Sequence, residues 1–386
     1  MTKKKIALVL VLALTLGFSL MGCSGNKLPI VHATYIGDGD GVYRTADLVM
    51  NAGEKLVVNQ SHFNGLENWN MTGFNRLELS VDYETHEGVV SINNNVITAG
   101  NSGRAAVMAT IHKNCRDENG KRVTFVLSQI TFAFIRVVDE ATMTPITTAQ
   151  QLKDIELDLG GNYILKADIN LAGIEWQPIG FMDGIVPPYL GRTSFFGIFV
   201  NSDNFTIKNL TINSSQNNNG RGGLFHSIDK GYVDGIVLEN VSIDVSDSEG
   251  HSSAGGIVAV TLNALITNCK VEGNIAAKNF AGGIVGSESW GVVANCEFKG
   301  TIKALNPSQN FENVGAGGIV GTSALYTDRP YFGIFDCKVN ATVISTHFAG
   351  GIVGFILGDA RPINCIFTGS LQGAMGQGEI FGYSTM

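Results

Sequence analysis

Apolar and polar side chains alternate over residues 29–138, as in the run 77–83, where every second side chain is apolar. This period of two predicts β-strands with one buried face and one wet face. Residues 89–99 predict a hairpin, because the three asparagines at positions 93–95 tolerate the positive φ that a tight turn needs. Short strands of this kind, separated by turn signals, predict a β-sandwich at residues 29–139.

A different pattern begins after Asp139, where two short phrases recur in phase. The first, Ala-Gly-Gly-Ile-Val-Gly or a close variant, begins at Gly222, Ala254, Ala281, Ala316 and Ala349. The second opens with a polar residue at Asn209, Asn240, Asn268, Asn295, Asp336 and Asn364, at spacings of 27 to 41 residues. A period of this length suits one coil of a solenoid, in which each repeat stacks on its neighbours.

Alternation within a repeat predicts which side chains face inward. After Asn268, Cys269 and Val271 are expected to point into the solenoid, while Lys270 and Glu272 point outward. The repeats therefore predict one inward column of cysteines, formed by Cys269, Cys296, Cys337 and Cys365. A metal site and disulfides are the alternatives for these thiols. The spacing matches no metal knuckle, and equivalent side chains about 4.8 Å apart are farther apart than a disulfide prefers.

Stacking in register also pairs the outward charges. Lys270 is expected beside Glu297, which lies beside Lys338, and Glu272 is expected beside Lys299. Opposite charges then alternate along the outer surface. Each exposed pair contributes only tenths of a kcal/mol, but like charges at these positions would oppose the register.

The polar residues that open each repeat predict a second ladder, in which side-chain amides in a bend hydrogen-bond from coil to coil. Asp336 departs from that ladder. The glycines of the first phrase allow a sharp corner and a close approach of neighbouring coils. The longest spacing, from Asn295 to Asp336, is expected to add loops before and after Ile319 to an unchanged frame.

The repeats resemble the GLUG motifs of bacterial surface proteins. Ile-Thr-Thr-Ala-Gln-Gln-Leu at 146–152 and Trp-Gln-Pro-Ile-Gly at 176–180 resemble the segment that usually precedes them. This resemblance implies that residues 140–386 form a right-handed parallel β-helix without catalytic residues of its own. Residues 87–105 are similar to bacterial Ig-like surface modules. The expected fold is all-β: an N-terminal Ig-like β-sandwich followed by a right-handed parallel β-helix solenoid of GLUG-type repeats.

The N-terminus carries a targeting signal. Three lysines at positions 3–5 precede an uncharged run at 6–21, which is shorter than a transmembrane helix and typical of a secretory leader. Its end, Leu20-Met21-Gly22-Cys23, resembles the lipobox of bacterial lipoproteins. This implies a signal peptide at 1–22 and a tether at 23–28 that is lipidated at Cys23, an ordinary signal peptide being the alternative. The expected location is the extracytoplasmic side of the bacterial cell envelope, with the membrane bound through acyl chains on Cys23.

Composition and charge exclude several classes of protein. The chain has 44% apolar residues and 48 glycines without a three-residue period, which argues against a collagen-like or disordered chain. The net charge of −8 becomes −11 without the leader, which has three lysines and no acidic residue, and this speaks against nucleic acid as a partner. His86-Glu87 lacks the second histidine of a metallopeptidase helix, and no nucleophile-elbow, phosphate-loop or dinucleotide motif occurs. We therefore expect no catalytic residues, no metal and no cofactor.

Aromatic residues in the inserted turns are the candidate ligand-binding residues: Trp290, Tyr326, Tyr331 and Phe332. Flat rings in turns can stack on sugar faces or anchor a protein partner, and they can also simply cap an apolar interior. The expected function is that of a non-catalytic adhesion or binding module for a surface glycan or an extracellular protein. A polysaccharide lyase or glycoside hydrolase at the cell surface is the alternative, because parallel β-helices also include such enzymes.

The anchor is tested by Cys23→Ala. Without the thiol no acyl chain can be attached, so the variant is expected to be uncleaved or released and to lose all label from a metabolically supplied fatty-acid analogue. Equal labelling of the variant and the wild type would contradict the lipoprotein assignment.

Overall fold

The computed structural model describes residues 32–38, 41–58, 76–116, 122–180, 194–213, 220–289, 291–308, 314–324, 333–358 and 362–384. The predicted signal peptide at 1–22, Cys23 and the predicted tether lie outside these ranges. The described chain is all-β, with 35 strands and one short α-helix. In these ranges no helix is both long and apolar enough to cross a membrane.

Eight strands form an N-terminal module: β1 (His32–Asp38), β2 (Gly41–Asn51), β3 (Lys55–Val57), β4 (Arg76–Glu84), β5 (Val90–Asn93), β6 (Val96–Ala99), β7 (Gly103–Arg116) and β8 (Arg122–Val138). One sheet has the order β1-β2-β8-β7-β4, and a second has the order β3-β6-β5. Neighbouring strands are antiparallel except for the parallel pair β2 and β8. Buried side chains from both sheets, among them Leu48, Ile97 and Val107, form one apolar core.

The hairpin predicted at residues 89–99 is confirmed. Strands β5 and β6 pair in antiparallel register, and the turn residues Asn94 and Asn95 have φ of 47° and 62°. Asparagine adopts this left-handed conformation more readily than other residues with a side chain, because its short polar group can hydrogen-bond locally.

The second part of the described chain opens with β9 (Thr144–Ile146), α1 (Ala149–Asp154) and a 3-10 turn at Ile155–Leu157. Helix α1 has a capping box: the Thr148 side chain accepts a hydrogen bond from the Gln151 backbone N–H, and the Gln151 side chain accepts one from the Thr148 backbone N–H. Leu152 and Ile155 are fully buried in the apolar core of this part of the chain. The helix is therefore held by packing as well as by its cap.

The chain then winds through four parallel sheets, each of which gains one strand per coil. The long sheet contains β11 (Ile169–Asn170), β13 (Thr206–Lys208), β18 (Val237–Val245), β22 (Lys270–Ala277), β26 (Glu297–Ala304), β30 (Lys338–Ser345) and β33 (Ile366–Gly373), with β14 (Thr211–Asn213) also paired to β18. The glycine sheet contains β15 (Arg221–Gly222), β19 (Ser253–Gly255), β23 (Phe280–Gly282), β27 (Gly315–Gly317), β31 (Phe348–Gly350) and β34 (Gly376–Gly378).

The valine sheet contains β16 (Phe225–Asp229), β20 (Val258–Leu262), β24 (Val285–Ser289), β28 (Val320–Ala324), β32 (Val353–Leu357) and β35 (Phe381–Ser384). The docked sheet contains β9, β10 (Asn162–Leu165), β12 (Ile198–Val200), β17 (Tyr232–Asp234), β21 (Leu265–Thr267), β25 (Val292–Ala294) and β29 (Gly333–Phe335). This succession of long parallel sheets is the arrangement of parallel β-helix-like repeats.

The predicted register of the repeats is confirmed. Lys270 pairs with Glu297 and Glu297 with Lys338, while Glu272 pairs with Lys299. Pairing also continues without a register shift across the repeat of 41 residues, on both sides of its insertions. The insertions therefore leave the frame of the coils unchanged, as the spacing predicts.

The predicted inward and outward faces of the long sheet are confirmed as well. Cys269, Val271 and Ile275 are buried in the apolar core, whereas Lys270 and Glu272 are exposed. The pattern repeats one coil later, where the equivalent cysteine, phenylalanine and isoleucine are buried. One continuous core consequently runs through all the coils.

Glycine in the Ala-Gly-Gly phrase is required by the close approach of backbone. A Cβ built on Gly282 would lie 1.9 Å from the Val285 carbonyl oxygen, and one on Gly283 would lie 2.3 Å from the Gly318 carbonyl oxygen. No side chain fits at such distances, so the corner between the glycine and valine sheets accepts only glycine at these positions.

The polar ladder forms only in part. Its six members all have φ between 53° and 61°, which places each at a left-handed bend. The Asn209 amide donates to the Asn170 side-chain oxygen and the Asn240 amide donates to that of Asn209, but the Asn268 amide donates to Asp234. The Asp234 carboxyl also accepts a hydrogen bond from the Thr267 hydroxyl. A carboxyl group in the neighbouring docked sheet thus replaces the amide of the preceding coil.

The N-terminal module packs against the outer face of the docked sheet. Val49 and Val138 contact an apolar cluster on that face which includes Tyr232 and Leu265. At its edge the guanidinium groups of Arg104 and Arg136 donate hydrogen bonds to the backbone carbonyl of Lys230. One face of the solenoid is therefore used for contact with the module, while the outer face of the long sheet keeps its exposed charged residues.

The shared core is tested by Val271→Asp. An unpaired carboxylate inside the column is expected to cost several kcal/mol and to lower the melting temperature of the solenoid cooperatively. The matched control is Asn274→Asp, which places the same charge on the exposed face of the same strand and should melt close to the wild type. Equal melting temperatures for the two variants would contradict the assignment of faces.

Candidate binding surfaces

The four aromatic residues predicted to bind ligand, Trp290, Tyr326, Tyr331 and Phe332, lie outside the described residues. Their described neighbours show where the two turns belong in the frame. Ser289 pairs with Ala324, and Val292 pairs with Gly333. Both turns therefore leave the valine sheet and enter the docked sheet at the same corner, in adjacent coils.

The outer face of the long sheet carries a ladder of ion pairs. The Lys270 and Lys338 amines lie 3.9 and 3.8 Å from the two carboxylate oxygens of Glu297, and the Lys299 amine lies 3.0 Å from the Glu272 carboxylate. These side chains are largely exposed to solvent, so each pair contributes little stability. The ion pairs favour the observed register of the strands. They also give this face an outer surface on which cations and anions alternate.

A shallow groove crosses this ladder where β18 bulges. The register between β18 and β22 shifts after Leu238, and the groove is lined by Glu239, Asn240, Glu272 and Lys299. The Glu239 carboxylate lies 3.1 Å from the Lys208 amine. Both carboxylates in the groove are thus bonded to lysines of neighbouring coils.

The cysteine column consists of free thiols. Cys269, Cys296 and Cys337 are buried and Cys365 is partly buried. Each thiol donates to the backbone carbonyl two residues earlier, at 3.2 to 3.4 Å. Burial raises the pKa of the Cys296 thiol, and the neighbouring thiol of the column raises the pKa of Cys337 and of Cys365. Protonated thiols are poor nucleophiles and poor metal ligands, which favours a packing role.

Glu288 is a buried acid inside the solenoid. It lies between Thr261 and Ser323 in a row of the valine sheet, and all three are buried. The Glu288 carboxyl accepts hydrogen bonds from the Ser323 hydroxyl and from the Gly291 backbone N–H. Burial raises the pKa of Glu288 to about 7, against the effect of these two hydrogen bonds. Because Gly291 directly follows Trp290, this carboxyl ties the end of a candidate turn to the core.

Three aromatic rings outside the candidate turns meet on the last coils; we refer to Phe348, Phe355 and Tyr383 as the aromatic platform. The Tyr383 ring stacks on Phe348 with centroids 4.7 Å apart and on Phe355 with centroids 5.4 Å apart. Phe348 and Phe355 are 5.7 Å apart. Phe355 is 2% exposed, whereas Tyr383 is 44% exposed, so Tyr383 presents its ring to solvent on a support of two others.

A signal for the platform was present in the repeats. Ser287, Thr322, Phe355 and Tyr383 occupy one position in four successive coils. The change from small polar residues to rings along this row marks the last two coils as different. The position of Phe348 beside these rings could not be predicted from this row, because Phe348 belongs to the glycine sheet.

Comparisons with known proteins add little. No protein-family model matches the chain, and no curated protein matches it. A solved structure from Bacteroides ovatus, provisionally assigned as an immunoglobulin A1 protease, is similar over 61% of this chain and 84% of its own, with a TM-score of 0.40 and 18% sequence identity. A likeness at this level supports no statement about activity. The class defined by the structure itself is an all-β protein with parallel β-helix-like repeats.

The buried acid predicts a pH dependence of stability. Because the pKa of Glu288 is raised in the folded state to about 7, its contribution is fully present below the usual glutamate pKa of about 4.3 and is lost as the pH rises through 7. The loss amounts to about 4 kcal/mol at most. Glu288→Gln should therefore show a smaller fall in melting temperature between pH 5 and pH 8 than the wild type.

The control for this measurement is Glu239→Gln on the outer groove, whose fall in melting temperature should follow that of the wild type. If Glu288→Gln retains the full pH dependence, another group is responsible for it.

Proposed function

We propose that this protein is a lipid-anchored bacterial cell-surface protein whose β-helix is a non-catalytic binding module for a glycan or an extracellular protein. In this proposal Cys23 carries the acyl chains, and the N-terminal module is an Ig-like spacer. The coils form a right-handed parallel β-helix of GLUG-type repeats, since parallel crossovers are almost always right-handed. The protein acts outside the cytoplasm, without metal or cofactor.

The observation that carries the binding assignment is the aromatic platform. A partly exposed ring held on two supporting rings loses little freedom when it contacts a ligand, which makes such rings favourable contact residues. The candidate turns leave one corner of the same rigid frame. A frame that stays constant while its turns vary in length is suited to display of a surface.

The ion-pair ladder supports a non-catalytic role. Glycan-cleaving sites commonly use two carboxyl groups, one acting as an acid and the other as a base or nucleophile. On the long sheet, Glu239, Glu272 and Glu297 each lie within 4 Å of a lysine amine of a neighbouring coil. These contacts account for the carboxylates as parts of the ladder.

The groove at the bulge is the observation that favours the alternative, a polysaccharide lyase or glycoside hydrolase. It contains two carboxylates and a lysine in one depression of an outer face. Turnover measurements separate this function from binding, because Glu239 and Glu272 would be needed for cleavage and dispensable for a ligand held by aromatic rings.

The proposed function predicts that the purified full-length chain binds a partner saturably and does not cleave pectins, glycosaminoglycans or peptides. Combined replacement of Trp290, Tyr326, Tyr331 and the exposed platform residue Tyr383 by alanine should weaken binding at least tenfold with little change in melting temperature. The control is the pair Glu239→Gln and Glu272→Gln, which should leave binding intact. Cleavage of a polysaccharide that is abolished by this control pair would establish the enzyme instead.

A further inference from the structure

The last strand of the long sheet, β33, has an open edge. It pairs with β30 on one side, and on its other side no strand of the described chain pairs with it. The Ile366 N–H donates to the Cys337 carbonyl of the preceding coil, so every second N–H of the strand faces away from β30. At the end of the strand the Gly373 N–H donates to the Gln377 side-chain oxygen. The open edge therefore comprises residues 366–372.

The apolar core is also open at this strand. Phe367 occupies the position of Val339 one coil earlier, which is 3% exposed. Leu371 occupies the position of Val343, which is 0% exposed. Both Phe367 and Leu371 are only partly buried, although they pack on the same core. A solenoid needs its terminal coil covered, and the cover that suits this end is a strand that continues the long sheet.

The sequence of β33 is chemically symmetric about Gly369, which is the middle of the open edge. Thr368 and Ser370 flank this glycine with exposed hydroxyl side chains on the outer face. Phe367 and Leu371 come next, with apolar side chains on the inner face. In antiparallel pairing with a second copy of the strand, each of these side chains meets its chemical equivalent, and the inner side chains stay inside. The edge is therefore complementary to itself.

Charge does not oppose this pairing. Strand β33 contains neither a charged residue nor a proline, the two devices that commonly protect an edge strand from pairing. The equivalent strands of the three preceding coils have lysine or glutamate at the position of Ile366. Charged residues only border the strand: Asp359 and Arg361 precede it, outside the described residues, and Glu379 follows it in the corner between β34 and β35.

The opposite end of the long sheet offers no matching strand among the described residues. Its first strand, β11, has two residues, whereas β33 has eight. In the first coil, Leu152 and Ile155 are fully buried in the core, so α1 and the turn after it cover that end. Head-to-tail stacking would leave most of β33 unpaired. Tail-to-tail pairing joins two equal strands about a two-fold axis and closes the assembly.

We propose that the protein forms a two-fold dimer in which β33 pairs antiparallel with β33 of a second copy, centred on Gly369. The pairing joins the two long sheets into one and covers Phe367 and Leu371 of both copies. At each end of the pair, Ile366 of one copy lies opposite Gln372 of the other. This inference goes beyond the proposed function and does not depend on it.

The test compares two double variants that differ in the sign of one charge. Ile366→Glu with Gln372→Glu places like charges opposite each other at both ends of the pair, and Ile366→Glu with Gln372→Lys places opposite charges there. Within one copy the two positions are about 20 Å apart, so only pairing between copies distinguishes the variants. Sedimentation equilibrium of the full-length chain in density-matched detergent is expected to show a wild-type dimer. The dimer of the like-charge variant should be at least tenfold weaker than that of the opposite-charge variant.

Asn340→Glu is the matched control. Asn340 is exposed on the same face, one coil from the edge and beside Lys299, so its replacement should leave the dimer unchanged. The opposite-charge variant also controls for folding, because it carries substitutions at the same two positions. A wild type that is monomeric at every concentration overturns the inference.

Equal dissociation constants for the two double variants overturn it as well, because the contact then does not pair β33 with itself. Neither result affects the proposed function. A chain that dimerises as expected but binds no partner saturably removes the proposed function alone.

Discussion

Stacking of coils in parallel register is the constraint on which the structure depends. Each coil hydrogen-bonds to the next through four sheets, so a residue lies against its equivalent one repeat later, at the spacing of adjacent β-strands. Apolar residues must then stack inside, and a slip by one residue would turn every inward side chain outward. The insertions around Ile319 are tolerated because they enter at corners, where they leave this pairing intact.

The same constraint governs the polar groups. Lysine stacks on glutamate outside because like charges at adjacent-strand distance repel. Inside, the Glu288 carboxyl is accommodated because the next coil places the Ser323 hydroxyl against it and the turn supplies the Gly291 N–H. A buried acid without such donors would be far more costly. The Glu288 carboxyl is thus matched by donors from the adjacent coil and from the turn.

Surfaces of the solenoid differ in what they offer a partner. The docked sheet contacts the N-terminal module through an apolar cluster and through two arginines that reach one backbone carbonyl. The long sheet presents paired charges, which already satisfy one another. The last coils present rings and uncharged polar groups. One frame thus presents three chemically different surfaces.

The sequence by itself determined the repeats, their register and the direction in which each long-sheet side chain points, because these depend on periodic, local patterns. Equivalent positions in successive repeats are enough to predict that Val271 points inward and Lys270 outward. They also predict that Glu297 lies between two lysines. The break of the amide ladder at Asn268 could not be predicted in this way, because the acceptor of its amide, Asp234, lies in a different sheet. The contact of Arg104 and Arg136 with the solenoid and the meeting of Phe348 with Tyr383 also required the tertiary structure. They join segments that share no period, and only the folded path of the chain decides that such segments are neighbours.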